Sequence, residues 1–205
     1  MELRNKDERL ADFADRFVFY HDGEIAEKYL RNGALMAYLN DGGFFTAPAS
    51  TKYHGVYEGG LYDHSRTVME ELENITACMG LRWQREESPF IVGMFHDLCK
   101  CDQYKLIRDN PEIVYHGENG NVIQTLATYH YEYNDKLLLT GHGAKSVMIL
   151  SQFFALTEEE ILCIRYHMGA YEKDDWTGLD LAMKKYPTVW ATHSADMIAS
   201  KVRGT

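Results

Sequence analysis

Six side chains of the kind that bind metal ions are spread widely along the chain, and they constrain its fold more than any other feature. They are His64, the adjacent pair His96 and Asp97, His142, His167 and Asp196. Zinc fingers bring their ligands together through short spacings of Cys and His in the sequence. The spacings here are much longer, so only the packing of distant segments can gather these side chains into one site.

The segments that carry these side chains have apolar residues at helical spacing. His64 precedes Val68 by four residues and Leu72 by eight, which places its imidazole on the apolar face of a helix. His142 precedes Ile149 by seven residues, two turns along one face. We therefore predict that all six side chains lie at core-facing or near-core positions, on five helices.

Two of these helices have recognisable start signals. Ser88-Pro89 is typical of a first helical turn, and the apolar stretch that follows leads to His96. Thr157, with Glu160 three residues later, forms a capping-box signature ahead of the segment that carries His167. Both signals favour helices that end close to the candidate ligands.

Length and composition fit one domain over residues 1–205. A chain of 205 residues with 45% hydrophobic residues can enclose one substantial core. We predict a helical lead over residues 1–50 and a core over residues 53–202. The lead has apolar residues at helical intervals, namely Leu10, Phe13, Ala14 and Phe17.

A short β insertion interrupts the helical pattern near residues 113–133. Residues 113–115 and 128–133 have strand-like sequences and flank a turn signal at Asn119 and Gly120. We predict a small β-hairpin here, within an otherwise all-α fold. It follows the His96-Asp97 pair closely enough to form a rim or lid of the site.

Charge and hydropathy exclude several classes of protein. The net charge of −10 disfavours a nucleic-acid partner, because binding a polyanion draws on clustered Lys and Arg. No signal-peptide core and no stretch of about 20 apolar residues is present, so we expect a soluble, cytoplasmic protein without a membrane partner. The cysteines have no regular spacing, and we expect reduced thiols at Cys78, Cys99, Cys101 and Cys163.

The six candidate ligands gain meaning only as a set. Taken singly, each His is more often a hydrogen-bonded core residue than a ligand, and each Asp can pair with a cation or accept a hydrogen bond. Together, four imidazoles and two carboxylates turned inward need neutralisation, which two divalent metal ions supply. Mixed imidazole and carboxylate ligands suit Fe, Mn, Co, Ni or Zn better than Ca or Mg.

Asp97 is the natural bridge between two ions, because its carboxylate has two oxygens. We expect the two ions to share Asp97. The first set of ligands would be His64, His96, Asp97 and Asp196, and the second would be Asp97, His142 and His167. A water between two cations is deprotonated near neutral pH, which would give a metal-bridging hydroxide as the nucleophile.

The ordered set resembles the HD superfamily of metal-dependent phosphohydrolases. His64 in GGLYDHSRTV resembles the first histidine of that family, and His96-Asp97 in MFHDLCK resembles its namesake doublet. Asp196 in HSADMIA resembles its closing aspartate. His142 in GHGAKS and His167 in RYHMG resemble the additional ligands of the dinuclear subset.

The resemblance spans roughly residues 53–202 and implies a compact helical bundle with the site in its middle. It also implies that Lys100 faces the substrate phosphate, whereas a lone lysine there is typical of a solvated helix end. No GYP-type motif follows a paired histidine, which disfavours the cyclic-dinucleotide phosphodiesterases of the subset. The net acidity disfavours its exoribonucleases.

Further side chains are candidates for contacts with the substrate or with a ligand. His54 and Glu58 would line the mouth of the pocket, unless they only order the Gly- and Tyr-rich loop that contains them. Lys145 would neutralise phosphate, unless it is a surface lysine. His193 would orient Asp196 or pack in the core.

We expect a metal-dependent phosphohydrolase that acts on a small nucleotide or a related phosphomonoester or diester. Asp97 and Lys100 would be its catalytic residues. Two alternatives stay open. One is an HD-type di-iron oxygenase, which uses the same ligand arrangement with O₂, and the other is a non-catalytic domain that binds a nucleotide and regulates a partner.

Overall fold

Helices make up most of the described chain. A computed structural model describes residues 3–20, 33–109, 113–116, 122–126, 129–139, 141–171 and 175–205. Its helices are α1 (Lys6–Tyr20), α2 (Ala34–Asp41), α3 (Gly60–Met79), α4 (Ser88–Phe95), α5 (His142–Leu150), α6 (Glu158–Arg165), α7 (Trp176–Lys185) and α8 (Pro187–Ile198). Leu98–Asp102 and Gly169–Tyr171 form 3₁₀ turns, and Ala199–Arg203 forms a π-helical turn. The predicted all-α class is confirmed.

Helix α3 is the longest of these elements and lies at the centre of the packing. It packs against both α4 and α8, while α6 contacts α4, α5 and α8. The predicted core-facing stripe of α3 is confirmed for His64, Val68 and Leu72, which are fully buried, whereas Met79 at the end of the same stripe is 55% exposed. Within the described ranges, every helix is too short or too polar to cross a membrane.

The predicted helix starts are present. Helix α4 begins at Ser88, with Pro89 in its first turn. Helix α6 begins with the capping box, in which Glu160 N donates to Thr157 Oγ1 at 3.2 Å and Thr157 N donates to Glu160 Oε2 at 2.8 Å. These caps satisfy backbone groups that the first turn of a helix leaves unpaired.

The predicted N-terminal helix covers the core through its aromatic side chains. Phe13 and Phe17 of α1 are fully buried, and Leu10 packs at the margin of the core. Phe13 lies 6.1 Å from Phe95 between ring centroids, in an edge-to-face contact. The burial of these rings supplies the main reason for α1 to dock on α4.

A buried arginine ties α1 to the start of α3. Arg9 is 1% exposed, and its guanidinium donates to both oxygens of Asp63, at 3.4 and 3.0 Å. Tyr62 also donates a hydrogen bond of 2.6 Å to Asp12 on α1. Because Asp63 precedes His64 directly, this junction holds the helix turn that carries the first candidate ligand.

The small β insertion is present, but its strands pair differently from the predicted hairpin. β1 (Tyr104–Arg108) pairs antiparallel with β4 (Tyr129–Tyr133), and β2 (Ile113–His116) pairs antiparallel with β3 (Val122–Leu126). The 129–133 segment therefore pairs with a strand that the sequence pattern did not reveal, and not with residues 113–115. Thr128 and the predicted turn at Asn119 and Gly120 lie outside the described residues.

We expect the Arg9→Met substitution to lower the free energy of unfolding by about 3 kcal/mol, because it leaves the Asp63 carboxylate without its buried partner. The measurement is denaturant unfolding followed by circular dichroism. Arg4→Met is the matched control, since Arg4 lies 3.6 Å from the same carboxylate but is 38% exposed. Its effect should stay below about 1 kcal/mol. Equal losses in the two variants would contradict the assigned role of Arg9.

Candidate metal centre

The six predicted ligands meet at the middle of the helical packing. Helix α3 contributes His64, α5 contributes His142 and α8 contributes Asp196. The sequence predicted that the other three also lie within helices, but they lie just beyond helix ends. His96 and Asp97 follow α4, and His167 follows α6. His64, His96 and His167 are fully buried, and Asp97 is 2% exposed.

Two glycines allow the ligand-bearing helices to approach closely enough. A Cβ on Gly93 of α4 would lie 2.4 Å from the Cα of Met69 on α3. A Cβ on Gly143 of α5 would lie 2.2 Å from the carbonyl oxygen of Arg165 at the end of α6. These contacts between backbones bring the ligand pairs of neighbouring helices together.

One group of ligands forms where α3, α4 and α8 meet. The Nε2 atoms of His64 and His96 lie 3.3 Å apart. Asp196 Oδ1 lies 3.2 Å from His64 Nε2. Burial alone would raise the pKa of Asp196, but the neighbouring rings of His64, His96 and His167 together outweigh burial and lower that pKa. These three residues could hold one metal ion.

Asp97 joins this group to the remaining histidines. Its Oδ2 lies 3.4 Å from His96 Nε2 and 3.7 Å from His64 Nε2. Its Oδ1 lies 3.4 Å from His167 Nε2 and 3.8 Å from His142 Nδ1. The two oxygens thus face different histidine pairs, which is the arrangement that a bridging carboxylate requires.

Two further groups of possible ligands share Asp97. One contains His96 and His167, and the other contains Cys99 and His142. The grouping differs from the expected pair of sets. His96 belongs to two groups, Asp97 is not in the group of His64, and His142 is grouped with a thiol and not with His167.

Three of the histidines are oriented by backbone carbonyls. Nδ1 of His96 lies 2.8 Å from the Gly93 oxygen, and Nδ1 of His167 lies 2.7 Å from the Ile164 oxygen. Nδ1 of His64 lies 3.0 Å from the oxygen of Thr205. Because a carbonyl only accepts, Nδ1 is the donor in each of these contacts, and the opposite ring atom, Nε2, is directed toward the centre.

The residues present fit divalent transition-metal ions. Asp97 Oδ1 and His167 Nε2 are buried and have no hydrogen-bond partner. Such orphaned groups are costly in a folded protein, and a cation between them removes the cost. Burial opposes ionisation of Asp97, but the surrounding side chains, led by the Lys100 ammonium, together outweigh burial and hold its pKa well below the usual value. The carboxylate is therefore in the form that a metal ion binds.

Lys100 lies beside the ligand cluster. It is 6% exposed, and its ammonium lies 2.5 Å from Asp97 Oδ2. Burial would lower the pKa of Lys100, but the Asp97 carboxylate outweighs burial and raises it. Lys100 is thus a fixed positive charge at the cluster.

The cluster opens into a cavity of about 420 Å³. Asp97, Lys100, His142 and Asp196 line its inner part. The wall also contains four tyrosines and a second lysine, namely Tyr53, Tyr104, Tyr133, Tyr171 and Lys201. The volume lies within the range of sites that bind small molecules.

The structure separates the other predicted site residues. His54 lines the cavity and packs against His64 in a tilted contact, with ring centroids 4.7 Å apart. Its ring nitrogens have no hydrogen-bond partner, and burial, followed by the charges of His64 and Lys100, lowers its pKa to about 4. By contrast, Glu58 is exposed, and the cavity wall does not include it.

Lys145 and His193 have structural partners. Lys145 is 4% exposed and donates to Asp102 at 2.5 Å, and the cavity wall does not include it. It is therefore neither the phosphate-facing cation nor the surface lysine that the sequence suggested. His193 lines the cavity, but its Nδ1 bonds to the carbonyl oxygen of His167 at 2.7 Å. It therefore supports the turn that carries His167.

Sequence reasoning missed Cys99 and Lys201. Cys99 lies in a 3₁₀ turn that no periodicity announces, although its position two residues after Asp97 was a usable signal. Lys201 comes from the π-helical turn after α8, which also lacks a sequence signature.

No family model, curated protein or solved structure matches this chain. The resemblance to the HD superfamily therefore depends on the ordered ligand residues alone and stays a prediction.

We expect Zn²⁺ or Co²⁺ to raise the thermal unfolding midpoint of the chelator-treated protein, because metal binds the folded ligand cluster. Free metal at about 100 times its Kd should raise the free energy of unfolding by about 2.7 kcal/mol. The increase should be largely lost in His167→Ala. It should persist in His130→Ala, since His130 is an exposed histidine paired with Asp109 and Glu132. Equal increases in both variants would show that the metal binds elsewhere.

Proposed function

We propose that the protein is a metal-dependent phosphohydrolase that acts on a small nucleotide or a related phosphoester. The observation that carries the proposal is a buried His/Asp cluster at the inner wall of a cavity, with a lysine fixed beside its central carboxylate. Metal ligands with an adjacent cation suit the transfer of a phosphoryl group, whose oxygens carry negative charge.

Side chains of the His/Asp cluster would hold the metal ions, and side chains of the cavity wall would contact the substrate. When bound, two divalent ions would supply Lewis-acid charge to the phosphoryl oxygens and would make a water molecule more acidic. Asp97 would hold the ions together through its two oxygens, and the backbone-anchored histidines would keep their Nε2 atoms directed at them. This preorganisation means that little rearrangement is needed when the substrate enters.

Lys100 and His54 would act on the substrate from the cavity wall. The Lys100 ammonium would offset negative charge on the phosphate, since it already lies at the inner wall beside Asp97. His54 has two ring nitrogens without partners, so it can donate one hydrogen bond and accept another. Its lowered pKa keeps the imidazole neutral at pH 7, so it would orient an oxygen of the substrate without adding charge.

The aromatic wall favours a substrate that carries a ring, as a nucleotide does. Tyr104 and Tyr133 face each other across β1 and β4, with ring centroids 5.3 Å apart, and both line the cavity. Tyr53 is 83% exposed, and the Lys201 ammonium lies 5.7 Å from the centre of its ring. A base could stack on such rings, as bases do on aromatic side chains in nucleic-acid sites.

We expect Asp97→Ala to abolish phosphoester hydrolysis, with a fall in kcat of about 1000-fold or more, because it removes the shared carboxylate. The measurement is a phosphoester screen on protein purified without chelators and supplied with the metal that elemental analysis finds. Asp109→Ala is the control, because Asp109 is an exposed carboxylate on the insertion. Wild-type turnover by Asp97→Ala would refute the mechanism.

Other outcomes of the same screen separate the competing functions. Protein with two irons, oxygen uptake on addition of an organic substrate and no phosphoesterase activity would identify an oxygenase. Metal-loaded protein that binds nucleotides without turning them over would identify a binding domain. Either result would overturn the proposed hydrolase.

We expect Lys201→Met to raise KM for a nucleotide about tenfold, equal to about 1.4 kcal/mol, with kcat nearly unchanged. Within the described chain, Lys201 forms no salt bridge, so its ammonium is available to an anionic group of the substrate. Steady-state kinetics with a nucleotide and with p-nitrophenyl phosphate check this, and the smaller ester should show the smaller change. Lys184→Met is the control, since that lysine is 70% exposed on α7. A fall in kcat with unchanged KM would contradict this role.

A further inference from the structure

A cysteine thiol lies against the ligand cluster. Cys99 is fully buried, and its Sγ lies 3.6 Å from Nδ1 of His142. Ligand atoms of Asp97, Cys99 and His142 all lie within 4.8 Å of one another. One thiol, one imidazole and one carboxylate therefore surround a single position at the edge of the cluster.

The backbone holds this thiol in place. Asp97 precedes the 3₁₀ turn Leu98–Asp102, and the amide of Cys99 donates to the hydroxyl of Ser146 at 3.0 Å. Ser146 lies one turn after His142 on α5, so the same helix positions both the thiol and the imidazole. The contact between Cys99 and His142 is thus fixed by the turn and the helix together.

An observation independent of the thiol, together with the orientation of His142, indicates a ligand at this position. Asp97 Oδ1, which lies 3.8 Å from His142 Nδ1, is buried and has no hydrogen-bond partner. His142 also presents its Nδ1 to the cluster, whereas the other three histidines use Nδ1 to bind backbone carbonyls. An orphaned carboxylate oxygen and a reversed imidazole both face the space beside Cys99.

We propose that Cys99 is a thiolate ligand of the metal ion held with Asp97 and His142. Ligation forms a metal–sulfur bond and releases the thiol proton to water. A mixed set of sulfur, nitrogen and oxygen ligands favours Zn²⁺, Co²⁺ or Fe²⁺ over Mn²⁺ and Mg²⁺, because thiolate is a soft ligand. The proposal rests on the metal centre of the proposed function and adds to it a ligand and a preference among metals.

The chain offers matched cysteine controls. Cys101 lies on the same 3₁₀ turn and is 8% exposed, but it packs in the hydrophobic core and belongs to none of the ligand groups. Cys78 is exposed near the end of α3 and could bind cobalt adventitiously. Cys101→Ser tests the loss of a buried thiol, and Cys78→Ser tests the loss of an accessible one.

The experiment is the absorption spectrum of the full chain loaded with Co²⁺. Wild type, Cys101→Ser and Cys78→Ser should show a thiolate-to-cobalt charge-transfer band in the near ultraviolet. Cys99→Ser should lose that band but keep the visible bands of cobalt bound by nitrogen and oxygen. Competition between Zn²⁺ and Mn²⁺ should show a loss of zinc preference in Cys99→Ser of about tenfold or more, at least as large as the loss of an outer ligand partner.

Several results would overturn the proposal. One is a wild-type spectrum with visible cobalt bands and no charge-transfer band, and another is an unchanged band in Cys99→Ser. If Cys99→Ser does not fold, X-ray absorption of the zinc-loaded wild type decides, because an ion without a sulfur neighbour refutes Cys99 ligation. Phosphoesterase activity without the band would refute only this ligand. The band without any activity would support the ligand and refute the proposed hydrolase.

Discussion

The rest of the structure depends on a carboxylate, Asp97, that is ionised and almost fully buried. Such a group is costly unless opposite charge surrounds it, and here the Lys100 ammonium, 2.5 Å from Asp97 Oδ2, meets that need only in part. One of its oxygens still has no hydrogen-bond partner. The folded chain therefore contains negative charge at its centre that is only partly neutralised, and a cation bound at this position is the simplest way to neutralise the rest. The packing of the helices holds the Asp97 carboxylate at this position.

The packing and the chemistry are linked through close contacts between backbones. Gly93 and Gly143 let two pairs of ligand-bearing helices approach without intervening side chains. Backbone carbonyls then orient three histidine rings, so that rigid helix ends set the direction of each lone pair. The elements that add the outer wall, namely the β1–β4 pair and the π-helical turn, are shorter and less regular. The candidate metal ligands thus lie on helices or directly after helix ends, and much of the outer cavity wall lies on turns and strands.

Much of the centre could be predicted from the sequence. Helical phasing placed His64 inward, and the capping signature of α6 placed the start of the helix before His167 correctly. Other features could not be predicted, because they depend on contacts between distant segments. β4 pairs with β1, a strand at the opposite end of the insertion in the sequence. Lys145 lies outside the cavity wall because its ammonium pairs with Asp102.

By itself, the sequence determined which side chains turn inward, since a regular helix repeats its faces at a local period that apolar residues reveal. It thereby determined the all-α class and the inward position of His64, and the ordered ligand residues indicated which six side chains meet at the centre. Only the tertiary structure decided how these side chains are grouped and that Cys99 joins them. The distances between these side chains are set by the way in which helix ends pack against one another. Cys99 could not be predicted because the 3₁₀ turn after Asp97 has too few residues to show a period. The order of the candidate ligands is thus a property of the local sequence, whereas the site they form depends on the tertiary packing of the helices.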